Sequence, residues 1–247
     1  MQNKGRHSPD LKPRHVLGKG MYVDFMLRRR AALDEPSPAL NAKFVGQLVA
    51  VPDFWGDGKA ASDAPFEFPG ECASLDLRTA LASGLAGQIS YAPRFAGYLS
   101  RDIAQSDDFL SLRLDTEEMD YDRFCSATLP RLIDVFSPYR AAAHTDEAVL
   151  LDDFDITRVQ SQKSGRNIDG RDSVHRIWPV SFFDDLLCQR AFGIDAAEVA
   201  ARAAPECERA EVLHGGAFLL VTSEVVVGPA LDALNARIMA RLGNGRA

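Results

Sequence analysis

The clearest pattern along the chain lies in Phe109–Asp115, where three leucines alternate with polar residues. A repeat of two residues is the period of a strand with one buried face. Three further segments are predicted to be strands: Met21–Leu27, Phe44–Val51 and Val174–Trp178. Pro179 is expected to end the last of these because proline has no N–H to donate to a neighbouring strand. Trp178, just before it, is expected to pack in the core against the helix that follows.

Two helices are predicted from the residues at their ends. Asp120 can cap an amphipathic helix, in which Pro130 should produce a kink. Ser181 can cap a second helix with an acidic first turn, and Gly193 is expected to end it. A weaker helical pattern covers Leu75–Leu85.

The C-terminal region predicts a hairpin followed by a helix. Gly215-Gly216 is a turn signal between the strand-like segments Ala210–Leu213 and Ala217–Thr222. Pro229 suits the first turn of the final helix. The apolar stripe of that helix consists of Leu231, Leu234, Ile238 and Leu242.

Two polar segments are predicted to be exposed. Arg28–Arg30 is expected to be a solvated basic end to the first strand. Gln160–Ser173 contains two glycines and almost no apolar residue, which is typical of an exposed loop.

Together these elements predict an α+β fold, with helices packed on a mixed or antiparallel sheet. Phe109–Phe136 and Ala217–Leu242 each contain a strand, a short link and a helix, which suggests two similar strand–helix units. The chain has 247 residues and could form one large or two small domains. We expect a flexible basic arm over residues 1–15 and a single domain over residues 16–247, with a possible subdivision near 140–173.

The composition is that of a globular protein, with 46% hydrophobic and 26% charged residues. No apolar run approaches the roughly 20 residues of a membrane-spanning helix, and the polar N-terminus does not have the pattern of a signal peptide. A cytoplasmic location is therefore expected. The net charge of −7 argues against non-specific nucleic-acid binding. Four scattered cysteines without a C-x-x-C pair are expected to be free thiols.

No nucleotide-binding, metalloprotease or serine-hydrolase motif is present in the sequence. The best candidate for a metal or catalytic cluster joins His144, Asp146 and Glu147 to Asp152, Asp153 and Asp155, because alternate carboxylates can gather around a hard cation. The spacing of a calcium-binding loop is missing, however, and acidic clusters are usually solvated. We therefore predict no catalytic residue, metal or cofactor.

The segment from Asp107 to Asp155 is unusually acidic, since its Asp and Glu residues greatly outnumber its four arginines. Like charges held close together oppose a compact fold, so such a density suggests a use. One hypothesis is an acidic face that docks on a basic protein and accelerates association; the alternative is a plainly solvated face. The candidate contact residues are Asp107, Asp108, Asp115, Glu117, Glu118, Asp152, Asp153 and Asp155.

A second candidate surface is the aromatic segment Pro52–Gly70, which includes Phe54 and Trp55. Such a segment can fold back as a lid over the core, or it can present its rings to a partner. Both interpretations remain open from the sequence.

The order of elements in the C-terminal part resembles immunity proteins of bacterial polymorphic-toxin and type VI secretion systems, closest to the immunity protein 52 group. The resemblance is carried by Arg176–Asp184 (RIWPVSFFD) and His214–Glu224 (HGGAFLLVTSE) and covers about the last 140 residues. It implies a cytoplasmic α+β protein that binds and blocks a cognate toxin and has no catalysis of its own. The toxin could be basic and nuclease-like, and the oligomeric state is left open.

Two other functions are alternatives. A small hydrolase or transferase could use the cluster around His144 and Asp152–Asp155, or His214. A structural or adaptor protein of a secretion or phage apparatus would instead assemble with copies of itself or with other components.

Overall fold

An eight-stranded antiparallel sheet forms the centre of the molecule in the computed structural model, which describes residues 21–56, 74–78, 80–100 and 106–243. The strands are β1 (Tyr22–Arg30), β2 (Ser74–Asp76), β3 (Leu85–Ser90), β4 (Asp107–Asp115), β5 (Arg140–His144), β6 (Val180–Asp184), β7 (Arg209–Leu213) and β8 (Gly216–Leu220). Their order across the sheet is β2-β3-β4-β1-β5-β6-β8-β7. The α+β prediction is confirmed, and strands on both sides of residues 140–173 belong to this one sheet. The predicted arm over residues 1–15 lies outside the described residues.

The helices lie on both sides of the sheet. They are α1 (Ser37–Leu48), α2 (Ala96–Leu99), α3 (Tyr121–Arg123), α4 (Leu129–Phe136), α5 (Glu147–Ser164), α6 (Asp185–Phe192), α7 (Ala196–Ala203) and α8 (Gly228–Leu242). A π-helical turn, Phe124–Thr128, joins α3 to α4, and a short 3₁₀ turn, Ala204–Glu206, follows α7. None of the helices in the described ranges is both long and apolar enough to cross a membrane.

Two crossover units build the sheet. Strands β4 and β5 flank β1 and are joined through α3 and α4, whereas β6 and β7 flank β8 and are joined through α6 and α7. Strands β6 and β7 run opposite to β4 and β5, and α6 and α7 lie on the opposite face of the sheet from α3 and α4. Both crossovers can therefore have the same hand. The two predicted strand–helix segments are both present, as β4 with α3 and α4 and as β8 with α8, but the second crossover unit is formed by β6, α6, α7 and β7.

One face of the sheet is covered along most of its length by α1, α3 and α4. Leucines of β4 and the inward residues of β1, such as Phe25, pack against Phe44, Phe124 and Phe136. On the other face, α6, α7 and α8 cover β6 and β8, where Leu187, Val199 and Ile238 are fully buried. We call these the first and the second face.

Several predicted elements are confirmed. Asp120 accepts a hydrogen bond from the Arg123 N–H and caps the helix, and the π-helical turn lies just before Pro130. The Ser126 carbonyl, which cannot receive an N–H from Pro130, instead accepts one from Arg209 at 3.0 Å.

The C-terminal hairpin and helix are confirmed, but the turn lies one residue earlier than the predicted Gly215-Gly216. The turn of the hairpin consists of His214 and Gly215, both with positive φ, as a two-residue hairpin turn requires. Gly216 must remain glycine because a Cβ there would lie 2.5 Å from the Phe182 ring. The four residues of the apolar stripe on α8 are buried.

Three predicted elements were wrong. Phe44–Val51 belongs mostly to α1, whose buried residues Leu40, Phe44 and Leu48 recur every four positions, as on one face of a helix. Leu75–Leu85 forms β2 and a turn before β3, with Gly84 at positive φ, rather than a helix.

The third error concerns the segment around Pro179, which precedes a strand instead of ending one. Val174–Trp178 is irregular, and the strand is Val180–Asp184. Ser181 lies within that strand, and Asp184 caps α6 by accepting the Leu187 N–H at 2.7 Å. Trp178 is buried as predicted, but it packs on Leu231 of α8 and His144 of β5.

Both polar segments also differ from prediction. Gln160–Ser164 is the end of α5 rather than a loop. Arg28–Arg30 continues β1; Arg29 and Arg30 are partly buried in ion pairs, and Arg28 donates to the Asp169 carbonyl.

Candidate functional site

Four of the ten residues predicted for partner binding are buried: Asp107, Asp108, Asp153 and Phe54. Trp55 is half-buried. The four buried residues are therefore, contrary to expectation, not exposed to a partner, and their local contacts explain why.

Asp108 is fully buried because β4 begins opposite the basic end of β1. It faces Arg29 across the strand pair, at 3.2 Å, and receives a bidentate pair from Arg94 at 2.7 and 2.9 Å. The Ala92 N–H also donates to it. Two arginines and one amide thus replace the water that a surface aspartate would bind.

Asp107 lies on the second face, two residues from Phe109. It accepts from the Tyr139 hydroxyl at 2.6 Å and from Arg171 at 2.5 and 2.9 Å. Burial raises the pKa of Asp107 to about 6, although Arg171 and Tyr139 act in the opposite direction. Asp107 therefore holds the sheet to the segment that contains Arg171.

Asp153 is on the inner side of α5, where Arg176 donates to it at 2.5 and 3.1 Å. Phe54 packs edge-on against Trp55, with ring centroids 5.1 Å apart, and the Trp55 N–H donates to the Leu48 carbonyl at 2.7 Å. This part of the aromatic segment is a lid on the core. Residues 57–70 of the segment lie outside the described residues.

The other five candidates lie at the surface. Glu117 and Glu118 are exposed in the turn after β4, Asp115 is half-buried at the end of that strand, and Asp152 and Asp155 are on the outer side of α5. Asp115, Glu117 and Glu118 lie at or beside a part of the second face that helices do not cover. We call this part the open face; it consists of Tyr22, Asp24, Met26, Ala86, Gln88, Ser111, Arg113 and Asp115.

The open face is polar and acidic. Arg113 forms a bidentate pair with Asp24, with both distances 2.7 Å, and Glu147 at the start of α5 also raises the pKa of Arg113. The neighbouring carboxylates, first of all Asp115, raise the pKa of the half-exposed Tyr22 hydroxyl. One arginine thus faces several acids, so the local potential is negative.

Helix α5 lies beside the open face with an unusual distribution of side chains. Its buried residues are Asp153 and Thr157, whereas four large apolar side chains face solvent. Their exposed fractions are 59% for Leu151, 61% for Phe154, 46% for Ile156 and 40% for Val159. A surface helix normally buries its apolar residues, and clustered exposed ones mark interaction sites. This surface was not predicted from the sequence, because periodicity alone does not tell which side of a helix is buried.

The candidate catalytic or metal cluster does not come together. His144 is buried against Trp178, and burial lowers its pKa to about 3. Asp146 caps α5 and accepts the Gly228 N–H. Within the described parts of the chain, no group of three His, Cys, Asp or Glu residues could hold a metal ion.

The alternative histidine, His214, lies in the hairpin turn with its Nδ1 3.2 Å from Asp134. Asp134 and the ring of His214 are both partly exposed, in the position of a surface ion pair.

The fold and these surfaces define an α+β protein with an open, acidic sheet face. No protein-family model matches the chain, and a comparison with curated proteins also finds no match.

Proposed function

We propose that this protein is an immunity protein that binds and neutralises a cognate bacterial toxin in the cytoplasm, and that the open face and the outer side of α5 form its contact surface. The observation that supports this most is the incomplete second layer of the sheet. Helices cover the second face over β6 and β8 but leave the outer residues of β1, β3 and β4 accessible.

The chemistry of this surface favours a basic protein partner. Exposed carboxylates border the open face, and the apolar side chains of α5 provide desolvated contact area beside them. Charge complementarity accelerates encounter, while buried apolar and aromatic groups supply most of the affinity. A nuclease is a fitting target, because enzymes that act on nucleic acid carry basic surfaces.

The resemblance of the C-terminal part to immunity proteins supports the same function. It lies in elements of the covered half of the sheet, β6, β7, β8 and α8, which form the scaffold. The contact surface proposed here lies in the other half, as expected if related scaffolds present different faces to different toxins.

The experiment is toxin protection in cells that express this protein together with the toxin module of the neighbouring gene. The test variant is Asp152→Lys with Asp155→Lys, which reverses two exposed charges on α5. The matched control, Asp122→Lys with Asp134→Lys, makes the same change on the helices of the first face. We expect protection by the wild type and the control and loss of protection by the test variant. Equal protection by all three contradicts the assigned surface, and no protection by the wild type contradicts the toxin assignment.

A further inference from the structure

One buried region of the second face contains an excess of hydrogen-bond donors. Its members lie on β1 and β5 and on the segment between α5 and β6. The buried polar atoms without a partner there are Arg30 Nε, Arg30 Nη2, Arg140 Nη1, His144 Nδ1, Asn167 Nδ2 and Ser173 Oγ. Outside this region, the Tyr121 hydroxyl is the one other such side-chain atom among the described residues.

Asp169 contacts Arg140, and Tyr139 contacts Arg30. The second amino group of Arg140 binds Asp169 at 2.7 Å, and Asp169 also accepts the His175 N–H at 2.8 Å. Asn167 and Ser173 lie in the same short segment as Asp169, which is closed by a hydrogen bond from the Asn167 N–H to Asp172 at 2.7 Å. Arg30 lies over the Tyr139 ring, 4.3 Å from its centroid.

The charges of this region are also unequal. The arginines are Arg28, Arg30, Arg140, Arg171 and Arg190, and the carboxylates are Asp107, Asp169, Asp172 and Asp184. Five positive charges thus face four negative charges. Arg140 is only 4% exposed, so solvent water screens its charge poorly.

A surplus of buried donors and of positive charge calls for an acceptor with negative charge, because an unpaired buried donor is costly. Neither a cation nor an apolar group meets this need. A guanidinium fork matches the oxygens of phosphate or carboxylate, and a serine hydroxyl and an amide nitrogen complete a typical oxyanion site.

We propose that this region is a binding site for a tetrahedral oxyanion of the phosphate class, held by Arg140 and Arg30 from the sheet and by Asn167 and Ser173 from the covering segment. A tetrahedral anion has more acceptor oxygens than a carboxylate and so matches the larger number of free donors. The ligand enters by displacement of the covering segment, which starts at the exposed residues Gly165 and Arg166. It is either free phosphate or the phosphoryl group of a larger molecule.

The experiment measures binding of inorganic phosphate to the full chain by calorimetry and by thermal unfolding, against chloride at equal ionic strength. We expect saturable binding and a higher Tm with phosphate. Asn167→Ala with Ser173→Ala should weaken phosphate affinity by about tenfold or more, since hydrogen bonds to an ion are lost. The control, Arg113→Gln, removes an arginine from the open face of the same sheet and should leave the affinity unchanged.

A nucleoside monophosphate provides the second arm. Tighter binding than that of phosphate identifies the phosphoryl group of a larger ligand, and weaker binding identifies the free anion. If phosphate stabilises the wild type no more than chloride does, water satisfies these donors and the proposal is wrong. The wild-type measurement decides this even if the double variant fails to fold. Toxin protection by the double variant is expected to be unchanged, so the outcome is independent of the proposed immunity function.

Discussion

The two halves of the sheet differ on their second face. Over β6 and β8, the residues that point to this face include Phe183, Ala217 and Leu219, and all are buried. Over β1 and β4, residues at equivalent alternate positions include Asp24 and Arg113, which face solvent. The same strand pairing thus supports a three-layer structure in one half and a two-layer structure in the other, and the difference lies in the side chains of one face.

The boundary between the halves carries buried charge rather than apolar contacts. Arg28 and Arg140 are paired residues of β1 and β5, and the segment that covers them supplies Asp169. An apolar layer cannot cover arginines, so a polar segment takes its place there. The sheet can therefore pass from a covered to an open face without leaving a large apolar surface.

The largest contrast between the halves should appear on truncation of an aromatic residue. Trp178→Ala should lower the free energy of unfolding by about 3–5 kcal/mol, because it leaves a cavity between β5 and α8. Tyr22→Ala on the open face should change it by about 0.5 kcal/mol or less. Chemical denaturation measures both. If Trp178→Ala lowers the free energy of unfolding no more than Tyr22→Ala does, the distinction between the covered and the open half of the sheet is contradicted.

The ion pairs should show a contrast nearly as large. Asp107→Ala should cost about 3 kcal/mol, because it removes the buried acceptor of the Tyr139 hydroxyl and of Arg171. Asp24→Ala breaks the exposed pair with Arg113 and should cost about 1 kcal/mol or less. Denaturation of both variants at one pH provides the comparison, and similar costs for the two would show that the Asp107 pair is not part of a buried boundary.

The pH dependence of stability provides a smaller and more specific test. Unfolded His144 takes up a proton near pH 6.5, but the folded residue does so only near pH 3. The unfolded state therefore binds more protons in this window, and the His144 contribution falls by up to about 1.4 kcal/mol per unit as the pH is lowered from 6.5 toward 3.

The contribution of Asp107 to stability changes with pH in the opposite direction. Its pKa is raised from 3.8 to about 6, so its contribution is greatest below pH 4 and is lost as the pH rises through 6. The difference between the wild type and His144→Gln isolates the histidine. Denaturant titrations between pH 4.5 and 7.5 should show this difference shrink as the pH falls, whereas a constant difference would show that His144 accepts a proton when folded.

Local signals were enough to predict the parts of the fold whose causes are local. The hairpin at His214–Gly215, the cap at Asp120 and the apolar stripe of α8 follow from residues within a few positions of one another. The error at Pro179 was also local, since proline can precede a strand as well as follow one.

The candidate site depended on distant partners and was predicted less well. Asp107 is buried because of Arg171, which lies 64 positions away in the sequence, and no local pattern links the two. The acidic segment therefore divided into a buried part and an exposed part that composition alone does not separate. The exposed apolar side chains of α5 were missed for a similar reason, because what a helix packs on is set by the whole fold.

The most direct test of the proposed contact surface is the association rate with the purified toxin module as a function of ionic strength. We expect fast association of the wild type that slows markedly as salt rises, because exposed acids attract a basic partner. The Asp152→Lys, Asp155→Lys variant should associate more slowly and depend less on salt, while the Asp122→Lys, Asp134→Lys control should behave like the wild type. Equal rates and equal salt dependence for all three proteins would contradict the assignment of the open face and α5 as the binding surface.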